Sequence, residues 1–471
     1  MSNADVAEPG FGLYVHWPFC AAKCPYCDFN SHVVAGVDHA LWARSLVREM
    51  EHMASLQGGG PLTSIFFGGG TPSLMDPRTV DMIIGAADRL WGLADRPEIT
   101  LEANPTSVEA DKFTGFRAAG VNRLSIGIQA LNDKDLKALG RLHSVTEALA
   151  AYDLARATFD RVSFDLIYAR TNQTAKEWEA ELARALRLAA DHLSLYQLTL
   201  EPGTPFHAMH ERGTLVVPDE DTSAEMYEIT QSLCAAAGLP AYEVSNHAAP
   251  GAESRHNLTY WRLGDYIGVG PGAHGRLSIG GKRFATETLL SPDVWLKAVQ
   301  SSGHGIDQQT EVSRLSCGEE YLMMSLRLGE GMSLARFEDL SGAPFDMARA
   351  LDLIDGGLLE RDGDRLWATR WSAPAKGRGP AARSGGRPAA RGRSGGPPRS
   401  LDSRLARERN PHVAMGRLIV TRAPCRPPTW RVLAAPGGRA GILPPRVYTP
   451  RSSRGGGQTQ WTDRPEDGAA K

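Results

Sequence analysis

Residues 13–32 read LYVHWPFCAAKCPYCDFNSH, and this stretch determines how the whole chain is interpreted. Its apolar beginning, Leu13–His16, predicts a short buried strand. Three cysteines follow, Cys20, Cys24 and Cys27, in a C-x3-C-x2-C spacing. Three thiolates on one tight loop can bind three irons of a 4Fe-4S cluster, which leaves the fourth iron without a protein ligand. The sequence therefore predicts an iron–sulfur site directly after the first strand.

A structural zinc site is the main alternative for these thiols, and three unrelated core thiols are a second one. Structural zinc is normally four-coordinate, so Asp28 or His32 would have to supply the fourth ligand. The other cysteines, Cys234, Cys317 and Cys425, stand alone, and each is expected to be a small buried or incidental side chain. Six cysteines in 471 residues are too few for a disulfide scaffold, so we expect a reducing compartment.

Length and composition indicate a globular chain of two or three domains. The 471 residues are 42% hydrophobic and 23% charged, which is an ordinary balance for a protein with a buried core. No run approaches the roughly 18 consecutive apolar residues that a membrane span needs. The first ten residues, MSNADVAEPG, lack the basic and apolar regions of a secretory signal.

Strand and helix patterns alternate over residues 11–250, which predicts an α/β fold with parallel strands. Strands are expected at Leu13–His16, Ser64–Phe67, Ile99–Glu102, Arg123–Ile128, Arg161–Ile167, Leu193–Leu200 and Tyr242–Ser245. Amphipathic helices are expected at Leu41–Gln57, Arg78–Leu90, Ala148–Ala157, Ala175–Ala190 and Ser223–Ala237. Six or seven such units form a closed or partial barrel or a doubly wound sheet. In each case functional side chains belong at the carboxyl ends of the strands.

The chain changes character near residue 306. We expect an N-terminal extension at 1–10, a barrel core at 11–305 and a small, mostly helical domain at 306–370, similar to a winged helix. Within that domain, helices are expected at Glu319–Leu328, Ala335–Leu340 and Met347–Ile354, followed by a hairpin at Leu359–Trp367. It contains no concentrated basic helix, so we expect it to cap the barrel and to bind no specific nucleic acid.

Residues 371–471 differ from the rest in charge and composition. They carry 20 Lys and Arg against 5 Asp and Glu, with 15 glycines and 14 of the 30 prolines. A basic tail can bind nucleic acid or anionic lipid, but here the charges are scattered and no periodic apolar face accompanies them. We expect a disordered extension or a shifted reading frame that replaces a final helix and leaves Leu358 and Leu359 poorly covered.

The cysteine spacing, with an aromatic residue just before the third cysteine, resembles the signature of the radical S-adenosylmethionine (SAM) superfamily. That resemblance implies a partial (β/α)6-type, TIM-like barrel in which SAM binds the unique iron of a 4Fe-4S cluster. The surrounding sequence, which includes CPYCDFNSH, is similar to the oxygen-independent coproporphyrinogen III oxidase-like (HemN-like) family. Within that family it is most similar to the HemW-like heme chaperones. The resemblance extends from about Leu13 to about Thr369.

Several further motifs match positions that contact SAM in this family. The segment FFGGGTPS ends the second expected strand in glycines, which let the backbone approach a ligand closely. The resemblance assigns SAM contacts to Tyr14, Gly69, Gly70, Thr71, Glu102, Gln129, Arg141 and Asp165. Considered alone, each of these residues can be explained by an ordinary structural role, such as a glycine turn or a solvated charge at a strand end. Their occurrence together and in order favours the SAM site.

A later segment, RHNLTYW, resembles the HNxxY motif that accompanies heme binding in the chaperones of this family. It implies a heme contact by His256, because neutral imidazole is a good axial ligand, and a second contact by Tyr260. The alternative is an ordinary hydrogen-bonded histidine on a surface loop. The glycine-rich turn Gly268–His274 follows and is expected to shape the mouth of the pocket.

The resemblance leaves two main functions open, a coproporphyrinogen III dehydrogenase and a heme chaperone. A third possibility is a radical SAM enzyme that acts on another substrate. True coproporphyrinogen III dehydrogenases of porphyrin biosynthesis carry another cysteine two residues after the third, where this chain has Phe29. That departure, together with HNLTYW, favours a heme chaperone that delivers heme to respiratory membrane enzymes. The resemblance further implies a flavodoxin or ferredoxin as electron donor, a cytoplasmic location with peripheral membrane contact, and the capacity to form a homodimer.

Overall fold

The computed structural model describes residues 8–56 and 59–369. Its strands are β1 (Phe11–Trp17), β2 (Phe19–Cys20), β3 (His32–Val33), β4 (Leu62–Gly69), β5 (Leu93–Ala103), β6 (Arg123–Gln129), β7 (Arg161–Tyr168), β8 (His192–Gln197), β9 (Asn246–Ala248), β10 (Asp265–Val269), β11 (His274–Ile279), β12 (Lys282–Thr288), β13 (Ile306–Val312), β14 (Met332–Ser333), β15 (Leu359–Asp362) and β16 (Arg365–Ala368).

The helices alternate with these strands, and capping boxes at Ser144 and Thr174 begin two of these helices. They are α1 (His39–Leu56), α2 (Pro77–Trp91), α3 (Ser107–Ala110), α4 (Phe113–Ala118), α5 (Asp133–Ala138), α6 (Val145–Thr158), α7 (Ala175–Leu188), α8 (Pro205–Glu211), α9 (Glu220–Ala236), α10 (Arg255–Trp261), α11 (Pro292–Ser302), α12 (Arg314–Ser325), α13 (Leu334–Ser341) and α14 (Met347–Asp355), with a 3-10 turn at Pro72–Leu74.

One sheet of the described chain has the strand order β13-β12-β11-β10-β1-β4-β5-β6-β7-β8-β9. The strands from β10 to β8 in this order are parallel, whereas β9 and β11–β13 are antiparallel additions at the two edges. Strands β1, β4, β5, β6, β7 and β8 are the first six that the sequence predicts. The α/β class with a partial parallel barrel is thus confirmed.

The prediction of a seventh strand at Tyr242–Ser245 is wrong. This segment is a turn, because the carboxylate of Glu243 accepts hydrogen bonds from Ser245 N at 2.9 Å and from the Asn246 side chain. The real edge strand is β9, which begins directly after this segment at Asn246 and is antiparallel to β8. The parallel strand β10 has no counterpart in the expected set, and it ends inside the glycine-rich segment Gly268–His274.

The two faces of the parallel strands differ in chemistry. One face is apolar and buried beneath helices, as with Leu13, Ile65, Leu101, Phe164 and Leu195. The residues that alternate with them are largely polar, and they bond to one another across the strands of the opposite, inner face. Strands with this alternation fit a partial barrel whose outer face is the protein core and whose inner face is a polar interior.

Helix α10 closes the amino-terminal end of this interior. Ser254, its N-cap, donates to Glu98 Oε1 at 3.2 Å, and the backbone N–H of His256 donates to the same oxygen at 3.2 Å. Glu98 also pairs with Arg161 at 3.1 Å. Strand β5 and the first residue of β7 are therefore joined to α10 through one buried carboxylate, that of Glu98.

Residues 313–369 contain α12–α14 and a small sheet in the order β14-β16-β15. The expected helices and hairpin are present, and the hairpin turns at Gly363, which has a φ of +55°. Leu359 is buried in the cluster of this part, contrary to the expectation of poor cover, and Leu358 is half-buried. Two arginines connect this part to α10, because Arg262 pairs with Glu330 at 2.7 Å and Arg327 lies over the Trp261 ring.

The predicted tail, 371–471, and Cys425 within it lie outside the described residues, as does most of the expected N-terminal extension. Within residues 8–56 and 59–369, no helix is both long and apolar enough to cross a membrane.

Candidate functional site

The three cysteines lie on one loop at the carboxyl edge of the parallel strands. Cys20 ends β2, which pairs with β3 and so holds the two ends of the loop together. Cys27 N donates to the carbonyl of Cys24 at 3.1 Å, which makes a tight turn between them. None of the three forms a disulfide, and each has intermediate exposure. This arrangement presents three soft ligands side by side at the open edge of the sheet.

A network of hydrogen bonds connects two of these thiols through three side chains from other parts of the barrel. Thr71 Oγ1 donates to Cys20 Sγ at 3.4 Å, and Asn104 Nδ2 donates to Thr71 Oγ1 at 3.2 Å. Arg141 completes the chain by donating to the Asn104 side-chain oxygen and, through Nη1, to Cys24 Sγ at 3.4 Å. The segments that follow β4 and β6 therefore contact the cysteine loop directly, and Asn104 after β5 joins the two.

Asn104 is the residue of this hydrogen-bond network that the sequence interpretation missed. It lies two positions after Glu102 in LEANP, and its side chain both donates and accepts, as an amide can. The usable signal was its place at the end of a predicted strand, beside the carboxylate that the resemblance singled out.

The glycines of FFGGGT bring the end of β4 against the cysteine loop. Gly70 N donates to Trp17 O at 2.7 Å, and Thr71 N donates to Phe19 O at 2.8 Å. A Cβ at Gly70 would lie 2.7 Å from the carbonyl oxygen of Phe19, and Gly69 has a φ of +107°. Only glycine allows this close approach of two backbones.

Gln129 has two unusual features at the end of β6. Its φ is +75°, a conformation that costs energy for any residue other than glycine. Its side-chain oxygen is buried and has no hydrogen-bond partner among the described residues. A strained residue with an orphaned acceptor at the edge that bears the cysteines is typical of a ligand site.

Glu102 and Asp165 lie on the inner face near the same edge. Glu102 pairs in register with Ser125 on β6, and Ser125 Oγ donates to Asp165 Oδ1 at 3.2 Å across to β7. Both carboxylates keep intermediate exposure. They are thus placed together where acceptors for ammonium or hydroxyl groups would be needed.

Tyr14 lies on β1 with its ring facing the interior. Its hydroxyl hydrogen-bonds with His16 Nδ1 at 3.0 Å, and its ring stacks on those of Phe66 and His256. Burial lowers the pKa of His16 to about 4, so this imidazole is neutral. Tyr14 therefore forms part of the interior wall, below the cysteine edge.

His256 and Tyr260 lie at the other end of the interior. His256 is in the first turn of α10 rather than on a loop, and it is only 1% exposed. Its ring hydrogen-bonds with Ser64 Oγ at 2.9 Å and with the Tyr260 hydroxyl. Burial lowers its pKa to about 3. Ser64 lies five residues before Gly69 on β4, so roughly 16 Å of strand separates His256 from the cysteine edge.

These residues fit an iron–sulfur cluster better than a single ion. In the described part of the chain, no three His, Cys, Asp or Glu side chains are grouped to bind one metal ion. Thiolates that bind different irons of a cubane need not converge on one point. Burial raises the pKa of the Cys20 thiol, and the Thr71 hydroxyl opposes that effect, so bound iron would have to drive deprotonation.

Comparison with known proteins agrees with this geometry. The model of the Radical SAM superfamily matches residues 14–185, and that of the HemN C-terminal domain matches residues 312–371. "Radical S-adenosyl methionine domain-containing protein 1, mitochondrial" from Bos taurus is 45% identical over 364 residues, which cover 74% of this chain and 82% of that protein. "Heme chaperone HemW" from Escherichia coli is 38% identical over 347 residues, covering 73% and 89% respectively.

A solved structure shows the same fold. Coproporphyrinogen III oxidase (HemN) from Escherichia coli superposes with a TM-score of 0.65 at 22% sequence identity, covering 77% of this chain and 88% of that one. The family models and the two relatives show that the chain belongs to the radical SAM superfamily and has a HemN-type C-terminal domain. Within that superfamily it belongs to the group of relatives that contains the heme chaperone HemW, as the sequence predicts.

Proposed function

We propose that this chain is a heme chaperone that carries a 4Fe-4S cluster and SAM. The observation that carries the proposal is the thiol network, in which Thr71, Asn104 and Arg141 connect Cys20 to Cys24 at the carboxyl edge of the sheet. In this proposal Cys20, Cys24 and Cys27 bind three irons, and donors directed at two of the sulfurs stabilise the cluster's negative charge. When bound, the cluster would supply a site for electron transfer to SAM.

The SAM-binding role is assigned to the residues around this edge. Gly69, Gly70 and Thr71 would present backbone to the methionyl end, and Glu102 would accept hydrogen bonds from its ammonium group. Arg141 is positioned by Asn104 and by the Gly127 carbonyl, at 3.0 Å, to attract a carboxylate. Gln129 and Asp165 would bind the remaining polar groups, and Tyr14 would line the wall beneath them.

Heme binding is proposed from the names of the HemW relatives and from the surroundings of His256. A histidine with a pKa of about 3 is neutral at physiological pH, which is the form that binds heme iron. Contact with iron would require a ring nitrogen to be released from Ser64 or Tyr260, and release from Tyr260 would let that hydroxyl bond to heme itself.

The remaining parts of the proposal concern location and partners. Reduced cysteines suit the cytoplasm, where a flavodoxin or ferredoxin would reduce the cluster. Heme would pass to respiratory membrane enzymes through peripheral contact with the membrane, and a homodimer belongs to the same proposal. The proposed organisation is a barrel core and a C-terminal domain between a short extension and the basic tail. The expected boundary at 306 moves to 313, because β13 (Ile306–Val312) belongs to the large sheet.

One experiment separates the main candidates. The anaerobically reconstituted protein is incubated in parallel with heme and with coproporphyrinogen III, while iron, sulfide and heme are measured per chain. The proposal requires stoichiometric heme uptake without turnover of the porphyrinogen. Turnover would assign the chain to the dehydrogenases instead, and a single firmly held zinc ion with no iron uptake would overturn the whole interpretation. His256→Ala should weaken the heme spectrum, and an unchanged spectrum would remove His256 from the heme site.

A further inference from the structure

Arg123 is a buried arginine without a carboxylate partner. It is 3% exposed at the start of β6, and its guanidinium donates only to two hydroxyl groups, Thr100 Oγ1 at 3.4 Å and Ser163 Oγ at 3.1 Å. Other buried arginines of the described chain, such as Arg170 and Arg276, pair with carboxylates. A buried guanidinium that lacks a counter-ion is costly, so its position inside the barrel calls for an anion.

His192 offers a second unsatisfied donor close by. Tyr242 Oη accepts hydrogen bonds from Ser254 N and Asn257 Nδ2, both at 3.4 Å, so the phenol gives its one proton to His192 Nε2, 3.0 Å away. Burial, with the charge of Arg123, holds the pKa of His192 well below its usual value, so the ring is neutral. Its single proton is therefore on Nδ1, which is buried and has no partner in the described residues.

These two donors are neighbours on the inner face. Phe164 pairs with Leu193 between β7 and β8, which places Ser163 beside His192 one step earlier in the same register. Arg123 reaches across from β6 to Ser163, so its guanidinium lies next to the His192 ring. Glu98, on β5, does not neutralise it, because that carboxylate is engaged with Arg161 and the start of α10.

The interior above this pair is partly aromatic, and several of its side chains are accessible to solvent. Apolar side chains on the outer face, such as Ile65, Phe164 and Leu195, are buried. By contrast, four inward-facing side chains keep intermediate exposure: Phe66, Glu102, Asp165 and Tyr196. Tyr266 on β10 has the same intermediate exposure. A flat apolar guest with an acidic end would find aromatic walls near the middle of the strands and donors at their amino-terminal end.

We propose that Arg123 and His192 bind a carboxylate at the floor of the barrel, namely a propionate group of heme. This inference rests on the proposed heme binding and adds how heme is oriented, with its acidic edge toward the amino-terminal ends of the strands. A charged, two-donor contact of this kind favours the free acid over an ester by about tenfold or more.

The test compares heme with its dimethyl ester, which lacks both carboxylates but keeps the iron and the ring. Both are titrated into the cluster-loaded protein at pH 7 in the same detergent, and affinity is read from the Soret band. The wild-type chain should bind the free acid about tenfold or more tightly, and Arg123→Met should bind both forms equally. Arg123→Lys, which keeps the charge, should retain part of the preference.

Arg170→Met is the matched control, because it removes a buried arginine whose carboxylate partners lie outside the interior. It should lower the melting temperature and leave the preference for the free acid unchanged. If the wild-type chain binds heme but does not distinguish it from the ester, the inference is wrong and the chaperone proposal stands. If the chain binds neither form, both fail.

Discussion

Arg141 Nη1 lies 3.4 Å from Cys24 Sγ, so a guanidinium from the segment between α5 and α6 contacts a thiol on the loop after β1. The contact depends on Asn104, which accepts from Arg141 and donates to Thr71, and Thr71 in turn donates to Cys20. The Asn104 side chain thus positions the two groups that donate hydrogen bonds to the thiols of Cys20 and Cys24.

We expect Asn104→Ala to release both donors and to lower iron and sulfide per chain after reconstitution. Affinity for SAM should fall about tenfold, because Arg141 loses the bond that orients it. The control is Asn122→Ala, since the Asn122 side chain bonds to backbone atoms of Pro97 and Ile99, at the opposite end of the strands. A fully retained cluster and unchanged SAM affinity in Asn104→Ala would show that the network is not required.

Gly70→Ala should displace the cysteine loop. The added Cβ would meet the backbone of Phe19, which cannot move aside as a flexible side chain could, and Cys20 is the next residue. We expect the free energy of unfolding to fall by about 2 kcal/mol and the cluster to be lost or poorly retained. Gly36→Ala is the control, because a Cβ there has open space and no unusual φ. Equal cluster content in the two variants would contradict this prediction.

Gln129→Gly separates binding from stability. Glycine adopts a φ of +75° without strain, so the free energy of unfolding should change by less than about 1 kcal/mol. Affinity for SAM should nevertheless weaken about fivefold or more, since the orphaned oxygen is removed. Calorimetric SAM titration and thermal unfolding give the two quantities. Destabilisation without weaker binding would make Gln129 a structural residue.

Glu49 makes stability depend on pH. Its buried carboxylate accepts from Gly270 N, Gly305 N and Trp295 Nε1, and burial raises its pKa from 4.5 to about 7. The folded chain keeps this proton up to about pH 7, whereas the unfolded chain releases it near pH 4.5. The free energy of unfolding should therefore fall as pH rises through this window, by about 3 kcal/mol at most.

Denaturant unfolding at several pH values, compared between Glu49→Gln and the wild-type chain, measures this contribution. The glutamine variant should lack the Glu49 part of the slope, whereas Glu51→Gln, at an exposed position of the same helix, should keep it. Parallel slopes in all three proteins would show that Glu49 titrates normally.

Local patterns predicted much of the fold and part of the site. The strand from Arg123 is found because its apolar residues alternate, and the cysteine loop because three thiols are adjacent in sequence. The turn at Tyr242–Ser245 was misread because its cause, a bond from Asn246 to Glu243, is not visible in a β-rich run.

Contacts between distant segments were inaccessible. The sequence around His256 does not show that its ring hydrogen-bonds with Ser64, 192 positions away, or that its helix closes the barrel. The partners of Arg141 likewise depend on which strand ends become neighbours.

Helix α10 is fastened on two sides, to the strands through His256 and Glu98, and to residues 313–369 through Arg262 and Trp261. A displacement of residues 313–369 would therefore be passed to the His256 imidazole through one short helix, although the two lie in different parts of the fold.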